Sequence, residues 1–565
     1  MSTKNKLHDF YRNHAIYILI FLIMSLLSVA VMWHSHFITV GYDIHFHWQR
    51  IWDMRESLVH RNLFPLVALN QFNQTGSAVM ALYPQLGMMP IVLLSLVIKS
   101  FIPLVYIVIL LRNFFALLVA YFASYSYNKN RKISFIFASG YTLAATMLFH
   151  EVLSYDIGRS SSMIYLPMIM FGFLNLIEKN DWIELTLGMS AIIMCHVVNT
   201  AIAILFLAIM FLININKFFD KNKIFALGKA IVLTVLLTTL YWIPFVIIVG
   251  NNAIDFPPPY WKVAGTDLNT WYTAIIQNSV GPYFNFINLL GLVLGIVFFM
   301  KLSKYSKQLV LVGIAFLFLC SNLFPWNLLA NTGINDSLQF TWRLNIIPQV
   351  IFCYIFAEVI VKLFKKPVMA VVSIAVSTIV IVLLQLNAQQ SLVQSTKNNL
   401  ELTHAFSKDR KEYRLNNNDD FRHLIFTSAG EIDYYPSAAV KQYGNTNRHI
   451  ATYDGHKKLK VKLLGNGQFT FKNSVHINKM ALPFLHYKGI AYEVKLDGKT
   501  VKTTHNKYAL ITLKNVSAGK HRVQIIVHRT KKELLSYFAT LIGLIVLGWA
   551  LIKKYGTKTK NEPKK

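Results

Sequence analysis

Cysteine, acidic side chains and nucleotide-binding glycine loops are what this chain has least of. Three cysteines occur in 565 residues, Cys195, Cys320 and Cys353, each in or beside an apolar run. No disulfide framework can therefore brace the hydrophilic stretch 388–533, which contains none, and the three read as packing residues. Aspartate and glutamate total 26 against 56 lysines and arginines, a net charge of +30. No P-loop, GxGxxG, zinc-ligand spacing or nucleophile elbow is present. No stretch on the cytoplasmic side is long enough to fold around a nucleotide sugar.

Long hydrophobic runs are abundant. The chain is 54% hydrophobic and 15% charged, and uncharged runs such as Ala15–Trp33, Ala230–Val249, Val368–Leu386 and Leu534–Leu551 recur. Each is close to the ~20 helical residues that cross a bilayer's hydrocarbon. Spans are expected near 15–33, 84–98, 103–125, 133–149, 162–178, 183–198, 200–216, 226–249, 284–300, 308–325, 343–364, 368–387 and 534–552. The first reads as a retained anchor. Short basic breaks, among them Lys129/Arg131/Lys132 and Lys301/Lys304/Lys307, place both termini in the cytoplasm. Two cytoplasmic termini need an even number of crossings, so twelve are expected, with 84–98, which begins at Pro84 and contains Pro90, partial or re-entrant. The charge distribution argues against nucleic acid: residues 388–532 hold 25 Lys/Arg and 10 Asp/Glu, and the remaining excess lies largely in the breaks. A basic soluble segment suits an anionic membrane or polymer.

Four units follow: a transmembrane domain over 1–387, an extracellular β-sandwich-like domain over 388–533, a transmembrane helix at 534–552 and a basic cytoplasmic tail at 553–565. The β assignment rests on alternation in Lys458–Leu463, Gln468–Phe471, Ala491–Leu496, Ala509–Leu513 and Arg522–Val527, with turns at Asp497-Gly498 and Ala518-Gly519. No internal repeat is visible.

Chemistry concentrates after the first span, in Gly41-Tyr-Asp-Ile-His-Phe-His-Trp-Gln-Arg-Ile-Trp52. Taken as an amphipathic helix over 43–60, Ile44, Trp48, Ile51, Trp52, Leu58 and Val59 form one face, expected flat on the membrane with tryptophans among headgroups. Asp43, His47 and Arg50 share another, and Asp43 with His47 could converge on a ligand or metal. Arg55 falls in the apolar arc and must snorkel or find a partner. Asp43 also reads as the helix N-cap. In His150-Glu-Val-Leu-Ser-Tyr-Asp-Ile-Gly-Arg-Ser-Ser161, Gly158, Arg159 and the serines offer an anion site at a helix start, or a plain cap. Glu151 and Asp156 read equally as solvated. His196 and Arg343 are candidates for a lipid phosphate, against core and anchor readings. Tyr260 and Trp261 could stack on a sugar or sit in the aromatic belt.

These segments carry a resemblance. The 41–52 run, with Gln339-Phe-Thr-Trp-Arg343, Glu431-Ile-Asp-Tyr-Tyr-Pro436, Ala491-Tyr-Glu-Val-Lys-Leu-Asp-Gly-Lys499 and Ala518-Gly-Lys-His521, is similar to bacterial YfhO-like and "6-pyruvoyl-tetrahydropterin synthase-related" membrane proteins. More broadly the chain resembles the GT-C superfamily of membrane glycosyltransferases. The resemblance implies a polytopic α-helical fold in a bacterial plasma membrane. It implies inverting transfer of a sugar from a polyprenyl-phosphate carrier to an envelope acceptor, whether glycopolymer, teichoic acid or glycolipid, at the external face. Asp43 would be the catalytic base, with His47, Arg159, His196 and Arg343 on the lipid phosphate and Tyr260 and Trp261 on sugar or acceptor. A divalent cation (Mg or Mn) is possible at Asp43 and His47. The second acid that some relatives carry immediately beside the first is missing, and Asp53 or Glu56 could replace it only if the helix bends. The alternatives are a non-catalytic envelope-assembly scaffold and a lipid-linked-sugar flippase. The flippase is disfavoured by the near absence of charge at span centres and of paired repeats.

Overall fold

The computed structural model describes residues 3–257, 262–397, 414–427 and 432–556. Helices fill the chain up to Lys397 and again from Lys531, and strands dominate 450–528. Among the described residues, six helices are long and apolar enough to cross a membrane: Asn13–Ser35, Phe101–Asn128, Ile157–Lys179, Thr341–Leu363, Pro367–Thr396 and Lys531–Lys554. Up to eight spans result if two bent pairs are each one span, Arg131–Thr142 with Ala145–Leu153 at 42° and Lys221–Leu237 with Thr239–Asn251 at 70°. The protein is a polytopic α-helical membrane protein with a C-terminal β domain. Of the thirteen expected stretches, 84–98, 183–198, 200–216, 284–300 and 308–325 fall on helices of 17 residues or fewer. At 1.5 Å per residue these are short for ~30 Å of hydrocarbon. The 226–249 stretch breaks where the Thr238 hydroxyl donates back to the Thr234 carbonyl and Thr239 donates to the Ser536 carbonyl of the last helix, both at 2.8 Å.

After the first helix, α1 (Thr3–Ser35), the chain forms a two-residue strand β1 (Ile38–Thr39), passes Gly41 and enters α2 (Ile44–Val59). The expected helix is there, but it does not lie in headgroups. Trp48 is fully buried, donates its indole N–H to the Tyr155 hydroxyl at 2.9 Å and meets the rings of Phe101 and Phe421. Trp52 packs on Phe101 and Phe426. The helix Asn418–Thr427 lies over the apolar face, so α2 is buried on two sides, with His47, Arg50 and Asp53 inside as well. Only its end is exposed, at Val59. Arg55 finds its partner locally, bonding Glu56 at 2.6 Å and stacking on Trp52.

Main-chain bonds fix where α2 begins. Tyr42 N donates to Leu153 O at 3.1 Å and Asp43 N to Ser154 O at 3.0 Å. That approach leaves no room for a side chain at Gly41, where a Cβ would stand 2.6 Å from Leu153 O and 2.8 Å from Val152 O. The acceptor segment, expected within an external loop over 150–161, is a buried turn of π-helix over Phe149–Leu153 followed by Tyr155 at φ 54.

β2 (Arg414–Leu415) pairs antiparallel with β1. The sandwich follows as β3 (Ile450–Tyr453), β4 (Lys457–Lys460), β5 (Lys462–Gly465), β6 (Gln468–Asn473), β7 (Ile477–Leu485), β8 (Ala491–Leu496), β9 (Lys499–Val501), β10 (Thr504–His505), β11 (Leu510–Val516) and β12 (Gly519–His528). One sheet runs β10-β11-β7-β3-β4 and the other β5-β6-β12-β8-β9, closing on a core that includes Phe469, Phe471, Leu482, Phe484, Val494 and Ile525. The expected strand 458–463 is two strands. Val461 is buried between β4 and β5, and the chain changes sheet there. β7 escaped the alternation test because it is buried on both faces from Met480 onward.

The loop 70–77 joins the two halves. Phe72, Asn73 and Gln74 are three successive left-handed residues at φ 54, 51 and 52, each costing about 1–2 kcal/mol. On one side Asp53 Oδ1 accepts from Asn70 N (2.7 Å) and Gln71 N (3.0 Å), and Gln49 accepts from Phe72 N. On the other, Leu485 N donates to Thr75 O, the Tyr435 hydroxyl to Thr75 Oγ1 and Asn466 N to Asn70 Oδ1.

Gly41→Ala should cost about 1–3 kcal/mol by overpacking. Gly228→Ala, in a helix with nothing within 4 Å of the new methyl, should be neutral or gain up to ~1 kcal/mol. Thermal melts of the two detergent-solubilised variants against wild type check the pair.

Candidate active site

Asp156 is the hub. It opens the helix Ile157–Met163, and its Oδ1 caps that helix by accepting from Arg159 N at 3.0 Å. The same oxygen accepts from the Tyr83 hydroxyl at 3.2 Å and lies 3.6 Å from His47 Nε2. Oδ2 accepts from Arg159 Nε at 3.1 Å and lies 3.8 Å from His196 Nε2. Tyr83 can come this close because residue 158 is glycine, where a Cβ would be 2.7 Å from the Tyr83 hydroxyl. His196 caps the helix Val197–Ile213 through Nδ1, which accepts from Asn199 N at 3.1 Å, leaving Nε2 for Asp156.

Asp43 joins this hub through the main-chain pairing described above. It occupies the cap position of α2, but its side chain makes no capping hydrogen bond, so the N-cap reading falls. Burial and then the like charge of Asp156 raise its carboxyl to about 7, against the pull of His45, Arg159 and Arg343. Asp156 is held well below the usual carboxylate range: burial opposes ionisation, but His196, the His47 hydrogen bond and Arg159 outweigh it. Burial drives His47 down and His196 down to about 3. Arg159 is the cation in direct hydrogen-bond contact with Asp156. Two nearby carboxylates thus divide the work: one stays ionised and the other titrates near 7.

Cations outnumber the fixed anions. Arg159 is buried, stacks 4.8 Å from the Trp342 ring and leaves Nη1 without a hydrogen-bond partner. Arg343 bonds the Leu338 carbonyl at 2.9 Å, lies over Phe340 and Trp342, and leaves Nε unpartnered. Arg50, 1% exposed, bonds the carbonyls of Tyr83 and Pro84 and stacks 4.2 Å from Tyr83, with Nε unpartnered. Unmatched N–H groups on buried guanidiniums are costly, and together they form an anion-seeking wall. Arg112 braces it from behind, bonding the Ser160 hydroxyl and lying 3.5 Å from Glu151.

Asp43, His47, Arg159, His196 and Arg343 are thus brought to one place. Tyr260 and Trp261 lie outside the described residues. Asp53 and Glu56 do not reach Asp43: Asp53 is committed to loop 70–77 and Glu56 to Arg55. The second acid is Asp156, buried and not solvated as the sequence allowed. The Asp156-x-x-Arg159 spacing at a helix start was its signal. Nothing local marked Tyr83, and Trp342 stood out only as part of the Gln339–Arg343 run. Among the described residues no three His, Cys, Asp or Glu side chains stand where they could ligate one metal ion. Of the two residues expected to hold a divalent cation, His47 turns Nε2 toward Asp156 at 3.6 Å and Asp43 makes no capping hydrogen bond.

No family model matches the chain, and no curated protein matches it. Among solved structures it is similar to the single-particle cryo-EM structure of arabinofuranosyltransferase AftD from Mycobacteria. The TM-score is 0.43 and the identity 14%, over 68% of this chain and 27% of that one. The chain spans about a quarter of that protein's length.

Because Asp43 binds its proton more tightly folded than unfolded, its contribution to stability is greatest below its ordinary pKa of 3.8 and is lost as pH rises to about 7. Asp43→Asn should therefore melt higher than wild type at pH 8 and no higher at pH 4. Asp53, also raised to about 7, should keep its own share of the pH slope in both proteins. Melts across that range test the sign.

Proposed function

We propose that this protein is a membrane glycosyltransferase of GT-C type, moving a sugar from a polyprenyl-phosphate carrier to a hydroxyl of an envelope acceptor at the external face. The observation that carries the reading is a half-buried aspartate, free of any capping bond and poised near pKa 7, in the field of Arg159 and Arg343, each of which keeps an unmatched N–H group. A base near neutrality and an anion-seeking wall are what a displacement at a sugar phosphate requires.

In this reading the acceptor O–H gives its proton to the Asp43 carboxylate as its oxygen attacks the anomeric carbon. The bond from that carbon to the phosphate oxygen breaks with inversion, and the electron pair leaves on the lipid phosphate. Arg159 and Arg343 hold the departing phosphate with the N–H groups that the protein leaves free. Asp156 keeps Arg159 oriented and, by its own charge, keeps Asp43 a competent base. Tyr83 donates a hydrogen bond to Asp156, and His47 and His196 stand 3.6 Å and 3.8 Å from its oxygens.

Asp43→Asn, expressed at wild-type level, should lose about 100- to 10,000-fold in transfer of a labelled sugar from its lipid carrier, the usual range for a positioned base. In the wild type, transfer should rise with pH through about 7 as Asp43 ionises. Mass spectrometry of envelope glycopolymers with and without the protein identifies sugar and acceptor. Undiminished transfer by the Asn variant sinks the reading.

A further inference from the structure

The outer face of the sheet β5-β6-β12-β8-β9 carries a second, independent feature. Strand register puts Lys462, Thr470 and Arg522 in one cross-strand row, and Gln468, Gln524, Lys495 and Thr500 in another. In a third row Lys472 stands directly opposite Lys520. The residues between, Phe469, Phe471, Val523 and Ile525, point into the sandwich core. The cations therefore share the outward face.

Like charges directly opposite in an antiparallel pair oppose folding, and no acid relieves this one. Lys495 lies 3.6 Å from Glu493. Arg522 bonds the neutral Gln468. Among the described residues, Lys462, Lys472 and Lys520 have no acidic partner within 4.0 Å, and all three are exposed. Strands lie about 4.8 Å apart and alternate residues about 6.8 Å apart along a strand. The face thus repeats positive charge in two directions, with amide and hydroxyl side chains between. The β5–β6 turn is also fastened to the membrane domain, where Asn70 Oδ1 and Gln74 Oε1 accept from Asn466 N and Gly465 N.

We propose that this face binds a linear polyanion built on a polyhydroxylated backbone, its acidic groups answering Lys462, Lys472, Lys520 and Arg522 and its hydroxyls meeting Gln468, Thr470 and Gln524. The chemistry selects a chain, because four cations spread over three strands exceed the reach of one small anion. The assignment does not depend on the reading of Asp43.

The test titrates fluorescent dextran sulfate against the full-length protein in nanodiscs of net-neutral lipid, with unsulfated dextran as comparison. Dextran sulfate should bind with strong salt dependence and dextran should not. Lys472→Gln with Lys520→Gln should weaken binding tenfold or more while the melting temperature holds or rises, since the like-charge pair is gone. Lys457→Gln with Lys458→Gln, on β4 of the other sheet, should stay within twofold. Equal binding of both dextrans, or unchanged affinity in the first double variant, overturns the proposal. So does binding of anionic-lipid vesicles without dextran sulfate, which would make the face a lipid surface. Asp43→Asn should bind dextran sulfate normally, so loss of transfer and loss of polymer binding read out separately.

Discussion

Two main-chain hydrogen bonds, Tyr42 N to Leu153 O and Asp43 N to Ser154 O, decide what this molecule can be. They draw the start of α2 against the buried turn that ends in Asp156, and they exist because residue 41 has no side chain. Backbone pairs of this kind fix position within tenths of an ångström. A flexible aspartate at the end of a long helix would not be held so. Every later property of the site, from the division of the two carboxylates to the placement of the arginines, presupposes that junction.

The electrostatics follow from who is left unsatisfied. Asp156 collects Tyr83, Arg159 and both imidazoles, so its charge is stabilised despite burial. Asp43 receives no comparable set of donors and shares the space with that charge, so it holds a proton until about pH 7. The arginines show the converse. Stacked on Tyr83, Phe340 and Trp342, they are rigid, desolvated and only partly hydrogen-bonded. Aromatic faces hold a guanidinium without using up its N–H groups, which leaves donors for something else.

Much of this was legible in the chain. Six of the expected spans, the 43–60 helix and the runs that contain Asp43, His47, Arg159, His196 and Arg343 came from hydrophobic runs, helical spacing and local motifs, and the Asp497-Gly498 turn lies between β8 and β9 with both residues at positive φ. What failed did so for tertiary reasons. α2 was placed in headgroups because its second burying partner, Asn418–Thr427, lies more than 350 residues away. The sequence left Asp156 open between a solvated and a functional role because nothing local announces that His47, Tyr83 and His196 converge on it. β7 hid because strands buried on both faces lose their alternation, and the 458–463 strand split because Val461 turns inward between two sheets.

The left-handed turn at Phe72–Gln74 carries a consequence for biosynthesis. Its conformation is held on one side by α2, made early, and on the other by Tyr435, Asn466 and Leu485, which emerge some 360 to 415 residues later. β1 likewise waits for β2. Such distant partners make assembly slow. The bundle can therefore insert long before the end that carries Asp43 and Asp156 is set, and a ribosome that stalls before the sandwich leaves a membrane protein whose α2 is uncovered. In this architecture the last third of the chain acts as the keystone of the first.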